Sequence, residues 1–353
     1  MAIAANAFSP KQFSFLIAEQ DDWGTHAVDE GSPNNDLVAL DVDSIGSPSL
    51  GVIQGLDVRS GSRVLQATDF FQDIKGSVKE MTVTGTATTE GLDILLANLT
   101  GEALAGASGV YSIASNIASS TLTSATADQT GEQLLSIVYK SGYGTNADLS
   151  FKDCFCTNLV LSGDAGTEGG RIKFSATFKT GSLATSLGDA TTTIDTAITA
   201  NDYFMSAWDA DDRIIAGTAN ALLFNFSLNL TNEVVFSGLT STGFEAATRA
   251  SEISATADFT IKYDSTFSGL FNSFNAQTAG SSTGATLMNH QASLANANFG
   301  FKMASSVLTN VGYSEGDMMQ LDCSVKAVGA GITSGTALVE VACLLTKKET
   351  HGN

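Results

Sequence analysis

Along most of this chain apolar and polar residues alternate one by one, the period of a half-buried β-strand. In SVKEMTVTGTATTEG, Val78 is followed by Met81, Val83, Gly85 and Ala87 at strand spacing. In ASEISATADFTIKYD, Ile253, Ala255, Ala257, Phe259, Ile261 and Tyr263 share one face. Each of these strands leads into a short stretch of a different period. LDILLANL places Leu92, Leu95, Leu96 and Leu99 at i, i+3, i+4 and i+7, and FSGLFNSF repeats the spacing with Phe267, Leu270, Phe271 and Phe274. The pattern predicts two short helices in a strand protein. A helix of about eight to twelve residues is marginal alone, so each apolar stripe is expected to dock on the sheet.

The flanking segments also occur twice. TNLVLSGDAGTEGGRIKFSATF, from Thr157, and TNVGYSEGDMMQLDCSV, from Thr309, both read Thr-Asn, strand, acidic Gly turn, second strand. Ile172, Phe174, Ala176 and Phe178 share a face in the first, and Met319, Leu321, Cys323 and Val325 in the second. Upstream, LGVIQGLDVRSGSRVL and LLFNFSLNLTNEVVF read as paired strands around a turn. The order hairpin, long strand, short helix, hairpin therefore appears twice, the signature of a tandem duplication. The predicted organisation is an N-terminal arm over 1–49, a first domain over 50–182, a connecting arm over 183–214 and a second domain over 215–353. Ser/Thr/Ala/Gly-rich stretches from Gly101 to Thr130 and from Ala276 to Ala295 read as long loops.

Composition narrows the class. Charged residues are 15% of the 353, with 34 Gly and 3 Pro, which suits many short strands and a surface partly covered by neighbouring subunits. The net charge of -20, from 37 acidic and 17 basic residues, disfavours a protein that grips a phosphate backbone. The first twenty residues lack a charged n-region, so no secretory signal is expected. There is no apolar run of about 18 residues, so no spanning helix is expected and no membrane partner.

Candidate chemistry is thin. Gly280 to Gly284 matches G-x-S-x-G with Ser282 in the nucleophile position, but in a polar loop rather than on a strand-to-helix elbow. His26, His290 and His351 are scattered. DVDSIG, Asp41 to Gly46, starts like a calcium loop and fails at Ile45 and Val52. Asp209, Asp211 and Asp212 read as a solvated acidic turn. Asn98, Asn225 and Asn229 stand in glycosylation sequons that need secretion to matter. Cys154, Cys156, Cys323 and Cys343 contain no CxxC pair; they read as small buried apolar side chains, with Cys154 and Cys156 on one strand face. No enzyme, cofactor or metal is expected.

The segments Leu149 to Gly181, the run from FNFSLNL through FTIKYD, and FGFKMASSVLTNVGYSEGDMMQLDCSVKAV resemble the tail tube proteins of long-tailed, siphophage-type bacteriophages; the opening EQDDWGTHAVDEG is similar too. The resemblance spans most of the chain and rests on strands and turns. It implies a mainly β fold, two tandem β-sandwich or half-barrel tail-tube domains, each with one flanking α-helix. It further implies rings whose inner sheets join around a DNA channel and stack into a tube, found in the virion and made in the host cytoplasm. Two domains per chain imply three chains in a pseudo-sixfold ring; one domain with insertions would need six. The implied partners are further copies of the chain, a tape measure protein, tail terminator and baseplate proteins, and DNA that passes without specific binding. Acidic character suits such a slippery lumen; its lining residues are not assigned. A secreted surface-layer or adhesin protein and an outer-membrane porin are the alternatives, and both require export.

Overall fold

The computed structural model describes residues 13–20, 23–27, 37–46, 53–56, 66–73, 76–101, 110–114, 121–123, 134–141, 149–164, 170–183, 212–219, 222–241, 243–249, 253–278, 284–289, 299–315, 318–329 and 337–343, with short pieces at 49, 64, 166, 185–186, 194–195 and 282. Within them the chain is mainly β, with two α-helices. The first part holds β1 (Phe13–Gln20), β2 (Leu37–Ala39), β3 (Asp41–Ile45), β4 (Ile53–Leu56), β5 (Phe70–Asp73), β6 (Lys79–Thr86) and helix α1 (Thr89–Thr100). Next come β7 (Val110–Ala114), β8 (Thr121–Thr123), β9 (Leu134–Ser141), β10 (Leu149–Asp164), β11 (Lys173–Thr180), β12 (Thr185–Ser186) and β13 (Ile194–Asp195). The second part holds β14 (Asp212–Ile215), β15 (Thr218–Ala219), β16 (Leu223–Asn232), β17 (Val235–Leu239), β18 (Phe244–Thr248), β19 (Ile253–Lys262) and helix α2 (Thr266–Asn275). It ends with β20 (Gly284–Asn289), β21 (Phe299–Glu315), β22 (Met319–Ala327) and β23 (Ala337–Cys343).

Most strands join one large sheet. Its spine runs β3-β6-β11-β10-β16-β19-β22-β21, antiparallel at every step. A second layer, β2-β1-β9, joins the N-terminal half of β10, and β15-β14-β20 joins the N-terminal half of β21 in the same way. The core fills the space between layers, where Phe15 of β1 meets Phe178 of β11 at a ring separation of 5.9 Å.

The two halves repeat one another down to their irregularities. The β10–β11 pairing shifts register between Cys156 and Asn158, and the β21–β22 pairing shifts between Leu308 and Asn310. The β9–β10 ladder slips between Phe151 and Cys154, and the β20–β21 ladder slips where Met303 gives way to Ser306. The β3–β6 pairing has its bulge between Val42 and Ser44, and β16–β19 between Leu223 and Asn225. A bulge re-aims a strand at a defined residue, so three matched bulges place the halves in register: Asn158 corresponds to Asn310, Leu161 to Tyr313, and Ile45 to Phe226. At Gly85 the β3 bulge presses against β6, where an added Cβ would lie 1.9 Å from the Asp41 carbonyl oxygen.

Several expectations change. Residues 13–45, read as part of an N-terminal arm, carry β1 to β3, with Phe15, Leu16, Ile17 and Ala18 fully buried. The Gly101–Thr130 stretch contains β7 and β8, which pair with β23 and β18 of the second half. The signal there was alternation across only five residues, Tyr111 and Ile113 facing the core, diluted by Ser and Ala. Likewise β20 lies inside the Ala276–Ala295 stretch. Strands β4 and β5 pair across a long intervening segment, and β17 pairs with β18 rather than with β16. The Thr157 and Thr309 hairpins do form. Tyr263 and Met319 end their alternating runs exposed.

The helices also differ from each other. Leu92, Leu95, Leu96 and Leu99 are buried, but so is nearly every other residue of α1, including Asp93 and Asn98. It is enclosed among β1, β10, β16, β7 and β23 instead of resting on one sheet face. Thr88 caps its start, accepting from the Gly91 N–H, and Gly101 at φ 75° closes its end. In α2, Leu270 is fully buried, Phe274 is half-buried against the core, and Phe271 is 42% exposed, contrary to the docked stripe. The Phe267 side chain lies outside the described set. Leu96→Asp is therefore expected to destabilise the protein by more than about 4 kcal/mol, whereas Phe271→Asp should change stability by no more than about 1 kcal/mol. Chemical denaturation of both variants checks this, and equal losses would show that α2 docks as tightly as α1.

Candidate functional site

The spine has two unlike faces. One carries Val83, Ala176, Phe178, Leu159, Leu161, Leu228, Leu230, Ala257, Phe259 and Val325 and is buried under the second layer and the helix α1. The other alternates with it and is almost wholly polar: Thr82, Thr84, Ser175, Thr177, Asn158, Ser162, Ser227, Asn229, Thr231, Thr256, Asp258, Thr260, Asp322 and Ser324. Its side chains bond across the strands. Asn158 Nδ2 donates to Asn229 Oδ1 at 2.8 Å and to Thr231 Oγ1 at 3.1 Å, and Thr260 Oγ1 donates to Asp322 Oδ1 at 2.8 Å. Two of its lysines face carboxylates: Lys173 Nζ is 3.0 Å from Asp43, and Lys179 Nζ is 2.7 Å from Glu233 and 3.9 Å from Glu80. A depression of 560 Å³ on this face is lined by Asp164, Arg171, Lys173, Asn225, Asp258 and Asp322 among others, and contains no histidine.

The halves meet in the middle of this face, where the C-terminal half of β10 pairs with β16 from Asn158↔Thr231 to Asp164↔Asn225. Two polar clusters hold the junction. At the bend of β10, Asp153 sits at φ 52°, a left-handed conformation that costs a non-glycine residue energy unless its surroundings fix it. Its buried carboxylate accepts from Gln20 Nε2 and the Gly24 N–H, both at 2.7 Å, and from the Ser182 hydroxyl; its own N–H donates to Gln20 Oε1 at 2.9 Å. Beyond the bend, buried Arg249 of the second half reaches the end of α1. Its guanidinium donates to the carbonyls of Asn232 at 2.7 Å, Cys156 at 3.3 Å, and Asn98, and stands over the Phe155 ring at 5.4 Å. Asn232 Nδ2 donates to the Leu99 carbonyl at 2.7 Å, and the Asn98 side chain accepts from the Cys156 N–H at 2.5 Å. The last carbonyls of a helix need donors and carry partial negative charge; here the second half supplies them.

Of the residues the sequence singled out, most stand apart. Ser282 is exposed, and the other residues of its motif between Gly280 and Gly284, apart from Gly284 itself, are outside the described residues, as are His290, His351, Asp209 and Asp211. His26 is buried beside β1. Asp41 to Ile45 form strand β3, not a loop that could wrap a cation. No group of three or more metal-ligating side chains occurs among the described residues. Asn98 is a buried structural residue, and Asn225 and Asn229 lie in the β16 ladder. Asp153, Arg249 and Asn232 were missed; the available signal was a charge inside an apolar strand run, as in FKDCFC, within a charge-poor chain. No family model matches the chain, and neither does any curated protein.

Cys154, Cys156 and Cys323 are free and buried. Burial pushes the Cys156 thiol up to about 12, partly offset by Arg249 and by a backbone hydrogen bond from Asn158. Burial and then Asp322 push Cys323 up to about 12, and burial and then Asp153 raise Cys154 well above its ordinary range. Thiols held neutral are poor nucleophiles, so all three should resist alkylation at neutral pH until the chain is denatured. Because the folded chain keeps protons that the unfolded chain releases near the ordinary thiol value of 9.0, these thiols contribute no pH dependence below about pH 9 and cost stability as pH rises toward 12. Mass mapping of labelled cysteines with an alkaline unfolding series tests both; rapid native-state labelling of Cys156 would contradict the burial.

Proposed function

We propose that the chain is a tail tube subunit of a long-tailed bacteriophage, built from two tandem β-sandwich tail-tube domains. One observation carries the reading: a single antiparallel spine passes from the first half into the second through β10 and β16, with one polar face and one buried face. A sheet that continues across a domain boundary can continue across a subunit boundary. Three copies of the eight-stranded spine make about 24 strands; at about 4.8 Å spacing and a tilt near 40° they close on a circle of roughly 45–50 Å. That is wide enough for a DNA duplex, with the polar face turned inward. The pairing of Lys173 and Lys179 with carboxylates and a net charge of -20 give passing DNA little to bind.

In this role the chain is structural, works in the virion, and meets other copies of itself, a tape measure protein and the terminator and baseplate ends of the tail. A porin would need an apolar strand face toward lipid, and the apolar face of the spine is covered by α1 and the second layer. A surface-layer or adhesin protein is separated from this reading by an export assay. Negative-stain microscopy of the purified protein, alone and seeded with tail fragments, should show rings or tubes with three chains per ring and pseudo-sixfold outline. Monomers at every concentration would overturn the reading, and six chains per ring would overturn the two-domain closure.

A further inference from the structure

At one end of the second half, the apolar face of the spine continues past its cover. Tyr263 follows β19 on the face of Ile261, Tyr313 of β21 stands opposite Leu321 of β22, and Met319 lies two residues before Leu321 on the same face. Leu321 is fully buried, yet Tyr263, Tyr313 and Met319 are 40%, 60% and 50% exposed. The matched bulges make these three the counterparts of Ala87, Leu161 and Ile172 in the first half. Two backbone bonds agree: the Ala87 N–H donates to the Ile172 carbonyl at 2.8 Å, and the Tyr263 N–H donates to the Met319 carbonyl at 3.2 Å. All three first-half residues are buried, with Leu161 beside Leu228 of the second half. The same positions are sealed inside the chain and open at its far end.

The open end also carries different side chains. Met319 stands where the first half has Ile172, and Met318, 48% exposed, where it has Arg171. The rings of Tyr263 and Tyr313 are 5.7 Å apart in the same patch. The other described methionines, Met81, Met288 and Met303, are buried. Exposure therefore singles out one adjacent pair of thioethers. We propose that Met318 and Met319 form a peroxide-sensitive modification site, and that their oxidation to sulfoxides hinders association of the chain with further copies of itself. The effect on association rests on the tube reading. In each step an S–O bond forms as the O–O bond of hydrogen peroxide breaks; the sulfur is oxidised by two electrons and the peroxide leaves as water. The product turns a flexible apolar side chain into a polar one. At the corresponding place in the first half the ground is apolar and buried, and a sulfoxide carried into such a contact must give up its water.

The test treats the full chain with dilute hydrogen peroxide, beside a variant carrying Met318→Leu and Met319→Leu together. Leucine keeps the volume and apolar character without an oxidisable sulfur. Peptide mass mapping should find one added oxygen on each of Met318 and Met319 while Met81, Met288 and Met303 stay unoxidised, and the thermal midpoint should not move. Ring formation, followed by sedimentation and negative-stain microscopy, should then need about tenfold more protein or fail. Methionine sulfoxide reductases should restore it, and peroxide should leave assembly of the leucine variant unchanged. Oxidation that spares Met318 and Met319, oxidised chains that assemble as readily as untreated ones, or equal peroxide sensitivity in the leucine variant would each overturn the proposal. Untreated chains that form no rings would instead overturn the tube reading and with it the effect on association, leaving the mass map to decide the modification site.

Discussion

The backbone of β10 is the constraint on which the rest of the structure depends. At 16 residues it is far longer than an ordinary strand, and it cannot give both of its edges to one pair of neighbours. Its first half serves β9 and its second half serves β16, with β11 on the far side. The change of partner falls at the bend around Asp153 and the bulge after Cys156. Every backbone group buried there must find a partner, and the Gln20, Gly24 and Ser182 contacts hold the carboxylate that stabilises the bend. Strand β21 meets the same demand in the second half with Ser306, whose hydroxyl donates to the Gly284 carbonyl at 2.8 Å. The two halves keep the geometry while changing the chemistry that holds it.

That geometry explains why the two helices differ. Helix α1 ends at the junction, so its terminal carbonyls are sealed from water and require donors from within the protein. Arg249 and Asn232 meet that need, and a guanidinium with several fixed donors suits a cluster of carbonyls better than a mobile ammonium. Removing either leaves buried acceptors, whose desolvation is more costly than the lost bond itself. Helix α2 has no such internal junction to serve. Its end is closed by the Ala276 N–H and by Gln277, which reaches the Leu308 carbonyl at 3.0 Å, and its outer face remains open at Phe271. The difference between a sealed and an open helix follows from position along the spine, not from the strength of the apolar stripe.

Much of this was legible in the sequence. The alternating runs around Met81, Phe174, Phe259 and Leu321 appear as spine strands with their apolar faces buried, and the two Thr-Asn hairpins form where their turns predict. Strand period is read within a few residues, and so is the i, i+4 spacing that marks both helices. What escaped was long-range. Nothing local in Val110–Ala114 shows that it will pair with Ala337–Cys343, and β3, as DVDSI, offers too few apolar residues to be told from a loop. The moment of the stripe in FSGLFNSF cannot reveal which side will be covered. Asp153 and Arg249 were visible only as charges in apolar surroundings, a signal that says a partner exists without saying where.

The polar face poses a different question, because charge and shape pull in opposite directions on it. A net charge of -20 would repel DNA from any channel the sheet encloses and would also repel subunits from one another. Pairing Lys173 with Asp43 and Lys179 with Glu233 lowers the local field without leaving a free cation at those sites. Such exposed pairs contribute little to stability; their effect is on the potential at the surface. Most of the remaining face is Thr, Ser and Asn, neutral at every physiological pH, with Thr82 bonded to Thr177 and Asn158 to Asn229 and Thr231 across strands. A tube lined this way would hold DNA neither by attraction nor by strong exclusion. In the proposed tube, cohesion would have to come from backbone hydrogen bonds and buried apolar contacts, terms that salt does not screen.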